Sequence, residues 1–398
     1  SSFIPLDDEK QPAVFNIRSM GMGTSRDAWV YNFSNQSLIN NIIKTINFYN
    51  SQVEEYKSIK MLNKSVKAEE VISYDAKQIS WSSSLIPQVS KEYLIRFEEQ
   101  SVVDCLYRPF CKQSLYIGEK LIHRRAHWSE LLPMKHSNII ISISNNKDGN
   151  PLITSCISDL HFNGDSQCFP LYYYDKNEGD IGTLFDQGKE NYIRRNGITD
   201  FILEQCKTRY GHKVVKEDIF YYVYGLLHSK DYREQFAADL KKMLPRIPLV
   251  DVPNDFWAFS KAGRELAELH LNYESVPAYP DVKVIGEDSE KYYVEKLSFG
   301  KNGKEVDKST LIYNSYIRIE NIPLEAYDYI INGKSAIEWI MDRYQVKVDK
   351  DSGIKNDPND WGLEHNNPRY ILDLILSIIT VSMATNEIVK RLPKLDLK

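Results

Sequence analysis

The sequence predicts an α+β fold, with a β-rich section in the middle of the chain and a mainly helical C-terminal half containing a small β-hairpin. Three observations carry this expectation. Short β-like runs separated by turn residues fill 79–175, and apolar residues recur at helical spacing from 199 onward. The two patterns follow one another instead of alternating, as βαβ units would require.

Up to about residue 32 the chain is irregular, with Gly21, Gly23 and a polar Thr24-Ser25-Arg26-Asp27 ahead of Trp29 and Tyr31. Ser34 is a good N-cap for an amphipathic helix over 34–57, because Leu38, Ile42, Ile46, Tyr49 and Val53 fall near one face. The β-like runs are 102–107, 114–117, 138–144, 152–157 and 169–174, punctuated by Pro109, Pro133, Gly149-Asn150-Pro151 and Gly164-Asp165. Helices are expected over 199–210, where Gly211 supplies the stop, and over 218–228, 229–244 and 253–273. A second β pair, 292–299 and 310–319, is joined by the polar link Gly300-Lys301-Asn302-Gly303-Lys304. Helices over 323–331, 335–344 and 368–389 close the chain around a polar loop at 349–367. The expected sections are a linker and helical segment at 1–78, a β-rich section at 79–197, and a helical part at 198–398 with its hairpin at 291–319.

The 398 residues are 42% hydrophobic and 26% charged with a net charge of −5, which suits packed globular structure and argues against low complexity. The longest apolar run, 371–384, is interrupted by Asp373, Ser377, Thr380 and Ser382 and falls short of a predicted membrane span. No secretory segment is readable. Five cysteines, none in a C-x-x-C pair, suit a reducing cytoplasm better than a disulfide framework or zinc ribbon. The opening Ser1-Ser2-Phe3-Ile4-Pro5 reads as a cut inside a longer protein.

No catalytic constellation stands out. Gly333-Lys334-Ser335 has Asp328 where a phosphate-binding P-loop needs glycine, and Gly21-Met22-Gly23 is too short for a dinucleotide fingerprint. There is no H-E-x-x-H, and His123 and His127 have no nearby carboxylate to suggest a metal site, so no metal is expected. The Asn-Pro-Pro-Tyr type of motif, with which amino-methyltransferases hold a flipped base, is missing. A nuclease of the Asp…Glu-x-Lys kind is not excluded by spacing alone.

Charge is distributed unevenly. Between Ser101 and Lys147, seven basic residues (Arg108, Lys112, Lys120, Arg124, Arg125, Lys135, Lys147) face three acids. Lys189 to Lys213 holds six basic residues and three acids, whereas Asp251 to Glu290 has nine acids against Lys261, Arg264 and Lys283. A phosphate backbone meets local potential, so a negative protein can still present a DNA-binding face. Ordinary solvated surface charge is the competing explanation.

Several long blocks carry a resemblance. They are Thr24-Ser25-Arg26-Asp27-Ala28-Trp29-Val30-Tyr31-Asn32, Asp218-Ile219-Phe220-Tyr221-Tyr222-Val223-Tyr224-Gly225-Leu226-Leu227-His228-Ser229 and Leu244-Pro245-Arg246-Ile247-Pro248. Gly263-Arg264-Glu265-Leu266-Ala267-Glu268-Leu269-His270-Leu271-Asn272-Tyr273-Glu274, Ser352-Gly353-Ile354-Lys355-Asn356-Asp357-Pro358-Asn359-Asp360-Trp361, Tyr107-Arg108-Pro109-Phe110 and Phe169-Pro170-Leu171-Tyr172 add to them. With these blocks, the chain from about Gly21 to Pro393 resembles the C-terminal specificity domain of single-polypeptide type I (type ISP) restriction-modification enzymes. The resemblance implies sequence-specific binding of double-stranded DNA, with chemistry done by upstream methyltransferase, helicase-like ATPase and nuclease modules. This chain would then hold no catalytic residue and no cofactor, and the parent enzyme would need S-adenosylmethionine, ATP and Mg.

The aromatic-aliphatic stripes in the helical blocks read as core. For DNA contact the candidates are Lys120, Arg124, Arg125 and His127 near the β-rich section, where an arginine could grip a guanine edge. Arg194, Arg195, Arg209 and Lys213 form a second candidate strip for gripping phosphates. Arg108 and Lys112 suit phosphate contacts, or, for Arg108, a buried structural pair. Asn356 and Asn359 could read adenine, or satisfy their own loop as an Asx-turn network, which is the favoured alternative. Relatives with different targets should differ at base-reading positions, which points to 119–129, 145–150, 177–196 and 282–290. A helical docking module joining methyltransferase to motor is the alternative function, suited by the acidic 251–290 stretch. A free-standing enzyme ranks last.

Overall fold

The computed structural model describes residues 3–118, 120–144, 149–177 and 191–395. Helices and several small sheets mix in an α+β architecture, with the C-terminal part helical, as expected. One four-stranded sheet runs in the order Ser19–Met20, Ser166–Pro170, Ile140–Ser144, Leu152–Thr154. A second runs Tyr31–Asn32, Cys111–Tyr116, Val102–Arg108, Ile157–Ser158, the last pair being parallel. A third, Lys283–Ile285, Arg318–Glu320, Glu305–Ile312, Ser298–Asn302, lies in the C-terminal half.

Among the described residues, three apolar cores hold these parts, and all three draw on distant stretches of sequence. The helices Lys216–Leu227 and Pro253–Leu271 build one core around Phe220, Tyr222, Phe256 and Phe259, to which Ile4, Phe15 and Phe169 contribute. Each such fully buried side chain stabilises by roughly 1.5–3 kcal/mol. The two helices touch through Gly225 and Gly263: a Cβ on Gly225 would lie 2.2 Å from the Phe259 oxygen, and one on Gly263 1.8 Å from that of Tyr221. A second core is built on the helix Tyr370–Lys390 and the third sheet. The third joins the helix Asn35–Leu62 to the second sheet.

Ser34 caps the long helix by accepting from the Ser37 amide at 3.0 Å, as its sequence suggested. The Glu364 carboxylate, brought from the far end of the chain, accepts from Asn35 N at 2.6 Å, where a helix N-terminus favours negative charge. Asp200–Tyr210 likewise starts at the Thr199 cap and stops at Gly211.

Elsewhere the local pattern misleads. The run expected as a strand over 292–299 begins pairing only at Ser298, because side chains claim its earlier backbone. Asn359 bonds both the amide and the carbonyl of Val294, and Asn314 Nδ2 bonds the carbonyls of Lys291 and Tyr293. Its partner spans Glu305–Ile312, after a turn at Gly303 with φ +63°. The expected helix over 323–331 is a 3₁₀ turn, Leu324–Asp328, followed by a tight hairpin whose Asn332 and Gly333 both have positive φ. The helix expected over 229–244 is two short ones, Lys230–Gln235 and Ala237–Leu240, interrupted at Phe236, which packs on Phe3 and Tyr232. The polar loop at 349–367 contains a strand, Lys355–Asn356, and a helix, Asn359–Glu364. The run 371–384 lies in the 21-residue helix Tyr370–Lys390, long and apolar enough to cross a membrane. Some 67% of its most apolar window is buried in protein, the mark of a core helix.

Candidate nucleic-acid interface

Ser19, Met20, Gly23 and Arg26 scaffold the basic segment that follows Leu121. Arg26, only 4% exposed, donates from Nε to the Ser80 carbonyl at 3.0 Å, from Nη2 to Ser82 Oγ at 2.7 Å and from Nη1 to the Leu121 carbonyl. Burial lowers its pKa to about 10, so it stays charged at neutral pH. Next to it, Gly23 and Arg124 exchange backbone hydrogen bonds of 2.9 and 2.7 Å. Ser19 Oγ accepts from the His127 amide at 3.1 Å, and the Met20 carbonyl accepts from Trp128 Nε1 at 3.0 Å. The backbone carrying Arg124, Arg125 and His127 is therefore fixed at both ends. Arg124 is exposed and Arg125 half-buried, and neither side chain makes a hydrogen bond or ion pair with the described residues. His127 is less free, since its Nδ1 pairs with Glu130 Oε2 at 2.5 Å.

Arg125 opens onto a groove of about 810 Å³. Lys91, Arg96, Lys120 and Lys176 line the same groove, against the acids Glu92 and Glu98. The side chains of Lys91 and Arg96 are exposed and have no polar partner among the described residues. Lys120 lies 5.0 Å from the Tyr93 ring. Three non-glycine residues around this groove, Glu92, Ala126 and Lys135, hold positive φ values of 56°, 50° and 65°. Such backbone conformations are costly and concentrate where geometry matters.

The hairpin Tyr172–Lys176 with Tyr192–Asn196 borders the groove and separates two arginines that the sequence treated alike. Its register pairs Tyr174 with Arg194 and Lys176 with Tyr192, while Tyr173 opposes Arg195. Side chains alternate across a strand, so Arg194 shares a face with Lys176 and Tyr192, which line the groove, and Arg195 points to the other. Arg194 stacks on Tyr172 at 4.2 Å, and Arg195 pairs with Asp175. Tyr174 and Tyr192 both pack against His136, at 4.8 and 5.0 Å.

The remaining candidates lie apart from this groove. Arg108, whose side chain is 14% exposed, donates to Asp159 at 2.8 Å and lies 4.0 Å over the Tyr107 ring. That is the buried structural pair, and it leaves little of the guanidinium for a phosphate. Lys112 pairs with Glu274 at 2.5 Å. Asn356 accepts from Phe33 N at 2.9 Å and donates to Gln113 at 2.9 Å, while Asn359 clasps Val294 and Asp357, so both amides serve the fold. Arg209 and Lys213 sit at the end of Asp200–Tyr210, with Arg209 3.9 Å from Asp251 and Lys213 exposed. A second cleft of about 530 Å³ mixes Asp27, Asp349 and Asp351 with Arg343, Lys347 and Lys350, a balance of signs that does not favour an anion.

Of the four segments singled out for base reading, two have described residues in the groove wall: Lys120, Arg125, Trp128 and Ser129 from 119–129, and Tyr192 from 177–196. Asn150 instead bonds the Ile330 carbonyl, and Glu287 pairs with Arg369, on other parts of the molecule. Residues 119, 145–148 and 178–190 lie outside the described residues. Lys91 and Arg96 were missed by sequence because Glu92, Glu98 and Glu99 cancel them in any local charge count. Among the described residues, no group of three or more His, Cys, Asp or Glu is placed to hold a metal.

The type ISP C-terminal specificity domain family matches residues 13–374. Among solved structures, the ATP-dependent type ISP restriction-modification enzyme LlaBIII bound to DNA is 35% identical with a TM-score of 0.85, over 100% of this chain and 24% of that one. A nuclease-deletion mutant of the type ISP enzyme LlaGI in complex with a DNA substrate mimic is 36% identical with a TM-score of 0.83, over 100% of this chain and 34% of that one. The DrdV–DNA complex is 26% identical with a TM-score of 0.82, over 99% of this chain and 38% of that one. The chain thus spans between about a quarter and two fifths of the length of these enzymes. No curated protein matches. A matched segment covering most of the chain, and a fold shared end to end with two type ISP enzymes, place this protein in the type ISP C-terminal specificity domain family, a recognition module of restriction-modification enzymes.

Proposed function

We propose that this domain recognises a specific sequence in double-stranded DNA on behalf of a restriction-modification enzyme. The observation that carries the reading is the groove, where Arg125, Lys91 and Arg96 meet solvent without polar partners among the described residues, and whose wall includes Lys120, Arg125 and Tyr192 from segments expected to vary with target. Cations held ready on fixed backbone neutralise phosphates, and base edges are then read by the side chains the grip positions. The relatives bound to DNA support the same reading. The domain acts with adenine methyltransferase, helicase-like ATPase and nuclease modules of the same polypeptide. Those modules use S-adenosylmethionine, ATP and Mg, and the whole works in the cytoplasm. The test compares the affinity of the full natural polypeptide for its recognition duplex, identified from the adenines methylated in the host genome, with that for a scrambled duplex. Tighter binding of the recognition duplex supports the reading, and equal binding overturns it.

A further inference from the structure

One loop of the groove, residues 91–96, displays apolar side chains on an unusually well-held backbone. The long helix Asn35–Leu62 grips it at three places. Asn50 makes a two-way amide clasp with Ile95, 2.9 Å to its carbonyl and 2.9 Å from its amide. Tyr49 donates its hydroxyl to the Tyr93 carbonyl at 2.8 Å, and Lys60 pairs with Glu92 at 3.2 Å. Within the loop, Tyr93 N bonds the Gln88 carbonyl at 3.0 Å, Glu92 sits at φ +56°, and Ile95 is buried as an anchor.

What this held backbone presents is an adjacent pair, Tyr93 at 45% and Leu94 at 47% exposure, between the cations Lys91 and Arg96. Singly exposed apolar residues are ordinary on any surface. Here the two are neighbours, they line the same groove as Arg125, and two cations with no polar partner among the described residues flank them. Apolar side chains between phosphate-binding cations are the chemistry with which proteins wedge against sugars and base steps in a DNA groove.

We infer that residues 91–96 form a DNA-contacting arm in which Arg96 and Lys91 grip phosphates and Tyr93 and Leu94 act as a wedge that loosens a neighbouring base step. The inference rests on the DNA-recognition reading above. Pinning by Asn50, Tyr49 and Lys60 gives the wedge its purpose-built character, since a loop ordered in advance loses less freedom on binding.

The experiment uses the full natural polypeptide and its recognition duplex, with 2-aminopurine placed in turn at successive positions as a reporter of unstacking. Tyr93→Ala/Leu94→Ala should weaken binding roughly tenfold, as expected for a lost aromatic contact to bases. It should also abolish the fluorescence gain at one or two adjacent positions while keeping the salt slope. Arg96→Gln should lower the slope of log K against log[salt] by about 1. Circular dichroism melts of both variants should match the parent, since the altered side chains are exposed. Unchanged affinity and fluorescence in the loop variants, with Arg124→Gln/Arg125→Gln still weakening binding, would overturn the arm and leave the DNA reading standing. If the Arg124/Arg125 variant binds normally as well, the underlying reading fails. Loop variants that keep DNA affinity but lose methylation activity would assign the loop to a contact between modules and overturn the arm.

Discussion

Replacing Arg108 with alanine separates a structural arginine from a DNA-binding one. Asp159 is buried, its side chain 3% exposed, and it is held at 2.8 Å by each of three donors: Arg108 Nη1, Tyr31 OH and the His161 amide. Burial, and Asp27 nearby, already push its pKa up, with Arg108 acting in the opposite direction. Removing the guanidinium leaves a buried carboxylate with two neutral hydrogen bonds, and breaking a buried pair from one side costs about 3–5 kcal/mol. Water can enter through the partly exposed site, so the lower end applies, about 3 kcal/mol, with roughly 1 kcal/mol more from the lost contact with the Tyr107 ring. The sign with pH follows from the raised carboxyl pKa. An acid whose folded pKa lies above its unfolded value costs nothing while protonated in both states, and costs stability as pH rises past the unfolded value. Arg108→Ala is therefore less damaging at pH 5 than at pH 8, and adding Asp159→Asn recovers part of the loss. Urea denaturation followed by tryptophan fluorescence measures the loss of stability, and the salt slope of DNA binding reports whether Arg108 contacts a phosphate. An unchanged denaturation midpoint together with a salt slope lowered by about 1 would instead make Arg108 a phosphate contact.

Two further outcomes follow from the helical core. His228 and His270 are fully buried, and burial holds His228 to about pKa 3 and pushes His270 down as well. Both take up protons in the unfolded chain below about 6.5, so stability falls as pH drops from there, by at most about 1.4 kcal/mol per unit for each. His228→Gln should flatten that slope by one proton's worth, and an identical slope in its denaturation profile would contradict the assignment. Gly263→Ala forces a Cβ to within 1.8 Å of the Tyr221 carbonyl oxygen, so the helices must part. A loss of about 2–3 kcal/mol is expected in denaturation, whereas a gain of about 1 kcal/mol, the helix-propensity effect alone, would show that the glycines do not set the crossing.

What the sequence made legible were features written in adjacent residues. Ser34 and Thr199 cap their helices and Gly211 ends one, because those signals act within a single turn. The basic segment around Arg124 and Arg125 was visible as a local excess of charge. Features depending on distant residues were not visible. Asn314 and Asn359 take over the backbone of 291–294 and delay the start of an expected strand to Ser298, and Gly225 meets Gly263 only once two helices cross. Arg194 and Arg195 look equivalent until the hairpin register puts them on opposite faces. Lys91 and Arg96 emerge only because Asn50, in a helix some forty residues earlier, turns their loop into the groove wall.

On the proposed reading, DNA is gripped at the groove that Arg125 lines, with Arg124 beside it in the chain. The salt dependence of recognition-duplex binding by the full natural polypeptide, with and without Arg124→Gln/Arg125→Gln, tests it most directly. At least about tenfold weaker binding is expected, with the slope of log K against log[salt] reduced by about 2. Affinity and slope both equal to the parent would contradict it.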